Sequence, residues 1–344
     1  MMFAGGLLSR LPLHRTLLLV AFVTVCFILW NLLFHHRKNS VRFVRPNDIV
    51  AKAAEHDTEP WKAGYKLMTC QLHGRLGNMM FAYAALVGIA WKSGHIPMLP
   101  ENHFLQSAFH VTAEATPSRV SGTVKLQESR AGAYDSQFEQ IKSNEELVEL
   151  VGYFQSWRYF VDFEHQIRVE FTFRHHLTAA ADKFLRSAVN ENFGPDVHQH
   201  DIILIGIHVR VGDMTLDSNV ERGYTIATPE YYTAAMELYR NMFPHSQLLY
   251  VLATDDRKWC KNNFPYKSSG KSPVVHTALG PDVQDLAILA ACNHTIISVG
   301  SFGWWAGWLS SGMTVYYKDF PRPNSSLAHE YVLNDYYLDQ WIAL

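Results

Sequence analysis

Asp201-Ile-Ile-Leu-Ile-Gly-Ile-His208-Val-Arg210-Val-Gly-Asp213 begins as one kind of segment and ends as another. Up to Ile207 it is an apolar, β-branched run, the composition of a strand buried on both faces. His208, Arg210 and Asp213 then follow in quick succession. Residues two apart on a strand share a face, so His208 and Arg210 should project together near its carboxyl end. In open α/β sheets that end is where ligands bind. A guanidinium there suits a diphosphate, because it is always charged and its donors form a planar fork. The same residues also fit a plainer reading, an Arg–Asp ion pair closing a strand end with no ligand. The remainder of the chain decides between the two.

The chain has 344 residues, enough for two ordinary domains, and its 48% apolar content and net charge of −2 are those of a globular protein with a large core. No basic patch stands out, which argues against a nucleic-acid partner. The 18 histidines are scattered. His175-His176 and His198-Gln-His200 are the close groups outside the N-terminal tail, and neither has metal-ligand spacing.

Thr16 to Phe34 is an uncharged apolar stretch of 19 residues. As a helix rising about 1.5 Å per residue it spans a hydrocarbon core of about 30 Å. No small-x-small cleavage site follows it, so it reads as a signal anchor and not a cleaved leader. Arg10 and Arg15 precede the span, while Arg37, Lys38, Arg42 and Arg45 follow it, a bias that puts the second side in the cytoplasm. The acceptor patterns Asn293-His-Thr and Asn324-Ser-Ser argue the reverse, for glycosylation in a secretory lumen. Cys26 lies in the span. Of Cys70, Cys260 and Cys292, two can pair in an oxidising lumen, and the sequence does not choose them.

Residues 35–64 are polar and aperiodic, a stem. A strand over Lys66–Leu72 then leads through His73-Gly-Arg75-Leu-Gly77 into a helix that begins with Asn78 as N-cap and is closed by Gly94. Strand, glycine turn and helix start form the usual anion cradle, although this one lacks the full dinucleotide fingerprint. The aromatic segment Gly152–Phe160 (GYFQSWRYF) fits either a sugar-binding cleft or interdomain core. Beyond Asp213, a helix over Pro229–Phe243 precedes a second strand that stops at Ala253 and leaves Thr254, Asp255 and Asp256 at its end. A helix over Asp282–Cys292 precedes a third strand, and Ser301-Phe-Gly303-Trp-Trp-Ala-Gly-Trp follows it as a helix with Ser301 as its cap. The tryptophans read as core. Three consecutive strands thus end in Arg210, Asp255–Asp256 and Ser301, and that series favours a nucleotide-diphosphate site. The metal-diphosphate triplet D-x-D occurs nowhere in the chain.

His208-Val-Arg210-Val-Gly-Asp213 resembles the H-x-R-R-x-D motif of the α1,2-, α1,6- and protein O-fucosyltransferases. Three other segments narrow the resemblance to the galactoside α1,2-fucosyltransferases, glycosyltransferase family 11. They are GRLGNMMFAYAALVGIA, GYFQSWRYF and CNHTIISVGSFGWWAGWLSSG, and the similarity runs from about residue 66 to about residue 320. The chain departs from the motifs at Val211, where the second arginine stands, and in N-M-M for N-Q-M. On a strand position 211 faces away from Arg210, and protein O-fucosyltransferases also carry an aliphatic residue there.

The resemblance implies an α/β GT-B-like fold of two Rossmann-like domains behind an N-terminal transmembrane anchor. The segments would be a cytoplasmic tail (1–15), anchor (16–34), stem (35–64), acceptor-side domain (65–200) and GDP-fucose-binding domain (201–344). It implies a single-pass type II protein of the Golgi membrane with a lumenal catalytic domain, and leaves room for a homodimer. It further implies inverting transfer of L-fucose from GDP-fucose to a terminal β-galactoside, with no metal or other cofactor. By matching position, Arg210 meets the β-phosphate, His208 the guanine or ribose side, and Asp256 the guanine; on the residues alone either Asp255 or Asp256 could accept from a nucleobase. Ser301, Phe302 and Gly303 cradle the diphosphate, and Arg75 and Asn78 reach in from the opposite domain. Asp213, then Asp217, are the candidates for removing the acceptor's proton. Two other readings stand beside this one: a non-catalytic, membrane-anchored glycan-binding relative, and a protein O-fucosyltransferase, against which the SFGWW segment argues.

Overall fold

Two parallel sheets carry the chain, and their strands lie where the apolar runs lie. The computed structural model describes residues 66–100, 103–116, 122–141, 146–266, 272–310 and 312–344. The expected tail, anchor and stem fall outside these residues, and among the described residues no helix is long and apolar enough to cross a membrane. The described residues all belong to one compact unit, Asp57–Leu344.

The first sheet holds β1 (Leu67–Cys70), β2 (Ile96–Leu99), β3 (Glu114–Ala115), β4 (Thr123–Gln127) and β5 (Leu147–Val151), in the order β3-β2-β1-β5-β4. The second holds β6 (Ile202–Val209), β7 (Gln247–Thr254), β8 (Val274–His276), β9 (His294–Ile297), β10 (Thr314–Tyr316) and β11 (Ile342–Ala343), in the order β11-β10-β9-β6-β7-β8. Among the described residues the strand pairings within the two sheets are all parallel. β6, the strand expected at residue 201, sits between β7 and β9. Covered on both faces, it has no polar residue before His208, as a parallel strand requires.

The principal helices are α1 (Leu76–Ser93), α2 (His175–Phe193), α3 (Pro229–Met242), α4 (Arg257–Asn263), α5 (Asp282–Ala290) and α6 (Ser301–Ser310). α1 ends at Gly94, whose left-handed φ of 71° lets its N–H cap Ala90 and Trp91. Thr228 caps α3 by accepting from the Tyr231 N–H, with Pro229 in the first turn. Trp304 and Trp305 of α6 are fully buried against Phe81 of α1, with ring centroids 4.5 and 5.0 Å apart. Phe160 stacks on Trp305 at 5.8 Å. The tryptophans are therefore core, and one hydrophobic cluster runs from α1 through α6 into α5 and the C-terminal residues Tyr336, Tyr337 and Trp341. Cys70, Cys260 and Cys292 are each buried and unpaired.

Candidate functional site

A cleft of about 590 Å³ opens at the carboxyl ends of the strands of both sheets. Its walls are the turns and helix starts after β1 (Arg75, Asn78), β5 (Tyr153, Gln155), β6 (Arg210, Asp213), β7 (Asp255) and β9 (Ser301). A parallel strand leaves its last carbonyls and the next helix's first N–H groups at this edge, so polar side chains collect there.

Arg210 follows the last residue of β6. Its backbone N–H donates to Ser298 Oγ at 2.9 Å, and its guanidinium is gripped by two carboxylates, Nη1 to Asp255 Oδ2 and Nη2 to Asp213 Oδ1. The side chain is 13% exposed. Asp255 fixes the turn as well, accepting from the Val211 N–H at 2.9 Å. Val211 itself points into the second core, away from Arg210. Arg75 comes from the first sheet and stands 4.0 Å from Asp213 Oδ2. The ion pairs of the plainer reading are present, and they hold the fork in a cleft that it lines.

His208 is 5% exposed. Burial, with Arg210 beside it, pushes its pKa down to about 3, so the ring is neutral. Ser298 Oγ lies 3.1 Å from Nδ1 while accepting from Arg210. The neutral ring and the Ser298 hydroxyl thus share one hydrogen bond through Nδ1. Gly303 makes room for this ring, because a Cβ there would come within 2.5 Å of Nδ1. Phe302 lies beside the ring at 5.2 Å. Phe302 lines the cleft and Gly303 does not.

The helix starts differ from expectation. Arg75 is the residue before α1, with no side-chain cap, and Asn78 is the third residue inside the helix. Ser301 opens α6, and its hydroxyl donates to Asn78 Oδ1. Gln155 Nε2 donates to the same oxygen at 2.9 Å. Both polar residues are thus used across the cleft and not as caps of their own helices. The two starts touch: a Cβ on Gly77 would come within 2.6 Å of Phe302 N, and Trp305 Nε1 donates to Gly77 O at 3.0 Å. Two positive helix ends and two guanidiniums therefore converge, an arrangement that favours a diphosphate.

The other sequence-named residues separate. Asp256 caps α4 by accepting from the Trp259 N–H at 2.8 Å and does not line the cleft. Asp217 is exposed at the start of a short helix, Asp217–Arg222, and does not line it either. Asp285 of α5, which the sequence reading passed over, does. Burial raises its carboxyl pKa to about 6, opposed by a hydrogen bond from Thr277 and by Arg257. Gln155 and Tyr153 were also missed as individuals, although the segment was noted as a sugar-cleft alternative. Their signal was position, directly after a strand end. Asn293 sits before β9, at the opposite edge of the sheet, and accepts from the Leu204 N–H at 2.8 Å. Asn324 is exposed in a turn with φ of 61°.

This fold, with its cleft between parallel sheets, is shared with a point mutant of Arabidopsis thaliana FUT1 solved in complex with GDP. The match has a TM-score of 0.55 at 9% identity and covers 79% of this chain and 78% of that one, a likeness of fold alone. Residues 32–344 match glycosyl transferase family 11, and the chain belongs to that family. Among its relatives, galactoside alpha-(1,2)-fucosyltransferase 1 of Saimiri sciureus is 30% identical over 276 residues, 79% of this chain and 73% of the relative. Galactoside 2-alpha-L-fucosyltransferase SEC1 of Bos taurus is 29% identical over 284 residues, 81% and 74% of the two chains.

Proposed function

We propose that the protein is a galactoside 2-α-L-fucosyltransferase that takes L-fucose from GDP-fucose and places it in α1,2 linkage on a terminal β-galactoside. The observation that carries this reading is Arg210, held by two carboxylates at a strand end and facing two helix starts. Asp285, which lines the same cleft, can accept the paired N–H donors of a guanine. The acceptor hydroxyl attacks the anomeric carbon opposite the departing GDP, so that the new C–O bond forms as the bond to the β-phosphate breaks, with inversion. Charge develops on the β-phosphate, and Arg210, Arg75 and the Ser301 helix start oppose it. These groups fill the place that a divalent cation takes in D-x-D enzymes, so the reading has no metal. Of Asp213 and Asp217, only Asp213 lines the cleft, and the hydroxyl proton is assigned to it. Its carboxylate also holds Arg210, so the same side chain would position the leaving-group donor and take the proton.

The same reading places the enzyme in the Golgi membrane, type II, on the strength of the apolar segment 16–34 and the two sequons. The test is transfer of labelled fucose from GDP-fucose to a panel of β-galactosides by the full chain in detergent, with and without EDTA. α1,2-linked product that survives EDTA is expected. The absence of transfer to any galactoside, with GDP-fucose not bound, would overturn the reading.

A further inference from the structure

After β5 the backbone takes a costly path. Gly152 has a φ of 147°, and Phe154, which is not glycine, has a φ of 51°. A bulky residue in the left-handed region is strained and persists only where its surroundings over-determine it, which happens most at functional sites. Two anchors over-determine it here. Phe154 is fully buried between Phe138 and Tyr159, at 5.1 and 5.5 Å. Buried Glu128, just past the end of β4, accepts from the Tyr153 N–H at 2.5 Å and from the Phe154 N–H at 2.7 Å, one on each carboxylate oxygen. Gly152 is glycine for the same reason, since a Cβ there would lie 2.4 Å from the Glu128 carboxyl carbon.

These constraints set Tyr153 out between two fixed neighbours. Tyr153 is 41% exposed and lines the cleft together with Tyr224, Tyr331 and Arg222. A large ring left open to solvent by a strained, doubly anchored backbone is a binding surface in search of a ligand with an apolar face. A galactopyranose has such a face, made by its ring C–H groups, with its hydroxyls around the edge.

Building on the fucosyltransferase reading, we propose that Tyr153 is the platform on which the acceptor's galactose ring lies, and that Glu128 is the positioning residue that holds it there. The test uses the full chain, GDP-fucose and lactose as acceptor. Tyr153→Ala raises the acceptor KM about tenfold, the size of one lost ring contact, and raises the KM for GDP-fucose by much less. Tyr153→Phe and Tyr153→Trp restore the acceptor KM. Glu128→Gln has a single acceptor oxygen for two N–H donors and gives the same acceptor defect with Tyr153 still present. The double variant Glu128→Gln/Tyr153→Ala is then no worse than Tyr153→Ala, an equality that general loss of stability would not produce. An unchanged acceptor KM in Tyr153→Ala, or equal rises in donor and acceptor KM, overturns the proposal, and this arm stands even if Glu128→Gln fails to fold. Lactose binding followed by saturation-transfer NMR separates the two ideas. A wild type that binds lactose through Tyr153 without transferring fucose keeps the platform and loses the fucosyltransferase reading.

Discussion

At the scale of single residues the site depends on Arg210. Arg210→Ala should lower kcat/KM about 10²–10³-fold, the loss expected for one oxyanion-type donor. Thermal unfolding of the variant should stay close to wild type, since the side chain lies at the cleft and outside the core. Asp285 gives a pH prediction. Its carboxyl pKa is raised to about 6 by burial, and a guanine N–H needs the ionised form. Affinity for GDP should therefore hold above pH 6 and fall as pH drops through it. Asp285→Asn should weaken binding at neutral pH and flatten that limb, as titration calorimetry would show. His208 cannot be the source of the limb, because burial and Arg210 keep it neutral down to about pH 3. His208 and Arg210 were legible in the sequence because a strand's two-residue period pairs them, and Asp213 because it follows directly in the turn after the strand. Asp285 was not, for a carboxylate in the first turn of a helix normally reads as dipole matching. Asp256 was legible as an acid at a strand end, but the next helix claimed it as a cap.

The site is also a property of paired elements, above all the abutting starts of α1 and α6. Gly77→Ala pushes a methyl group into the backbone of Ser301 and Phe302, 2.6 Å away. It should destabilise the fold by about 1–3 kcal/mol and raise the KM for GDP-fucose more than the acceptor KM. Gly303→Ala should act on the donor in the same direction, by displacing His208. Retention of wild-type donor KM in both variants would mean that the two starts do not form the diphosphate site. The strands, the glycine turn and the helix after β9 were all readable from periodicity and punctuation. The roles of Asn78 and Ser301 were not. Each is a good cap residue locally, and only a contact across 223 positions of chain turns them toward each other. The segment GYFQSWRYF divides between core and cleft. Phe154, Tyr159 and Phe160 entered the core, while Tyr153 and Gln155 entered the cleft.

For the whole molecule, one core joins both sheets behind the cleft. Trp305→Ala, which empties its centre, should cost about 3–5 kcal/mol. Unfolding of wild type and variant should be a single transition by both calorimetry and tryptophan fluorescence. Two separated transitions would mean that the halves are independent. The start of the second sheet at β6 was legible from its apolar run. What crosses that point of the chain was not, because such pairings are non-local. α2 packs on α5, and Asp335 returns to accept from the Tyr134 N–H and to pair with Arg158 at 2.9 Å. The clamp on Arg210 has a kinetic consequence. Among the described residues lining the cleft, five carboxylates (Asp213, Asp255, Asp282, Asp285 and Glu330) face three guanidiniums (Arg75, Arg210 and Arg222). Above pH 6 the cavity therefore repels a nucleotide sugar at long range and attracts it only once hydrogen bonds form. Shortening the screening length from about 30 Å to about 8 Å with salt should then speed donor association, the reverse of electrostatic steering. Stopped-flow rates that fall with salt would contradict this. A site built in this way admits an anion for its shape and discriminates against one that offers charge alone.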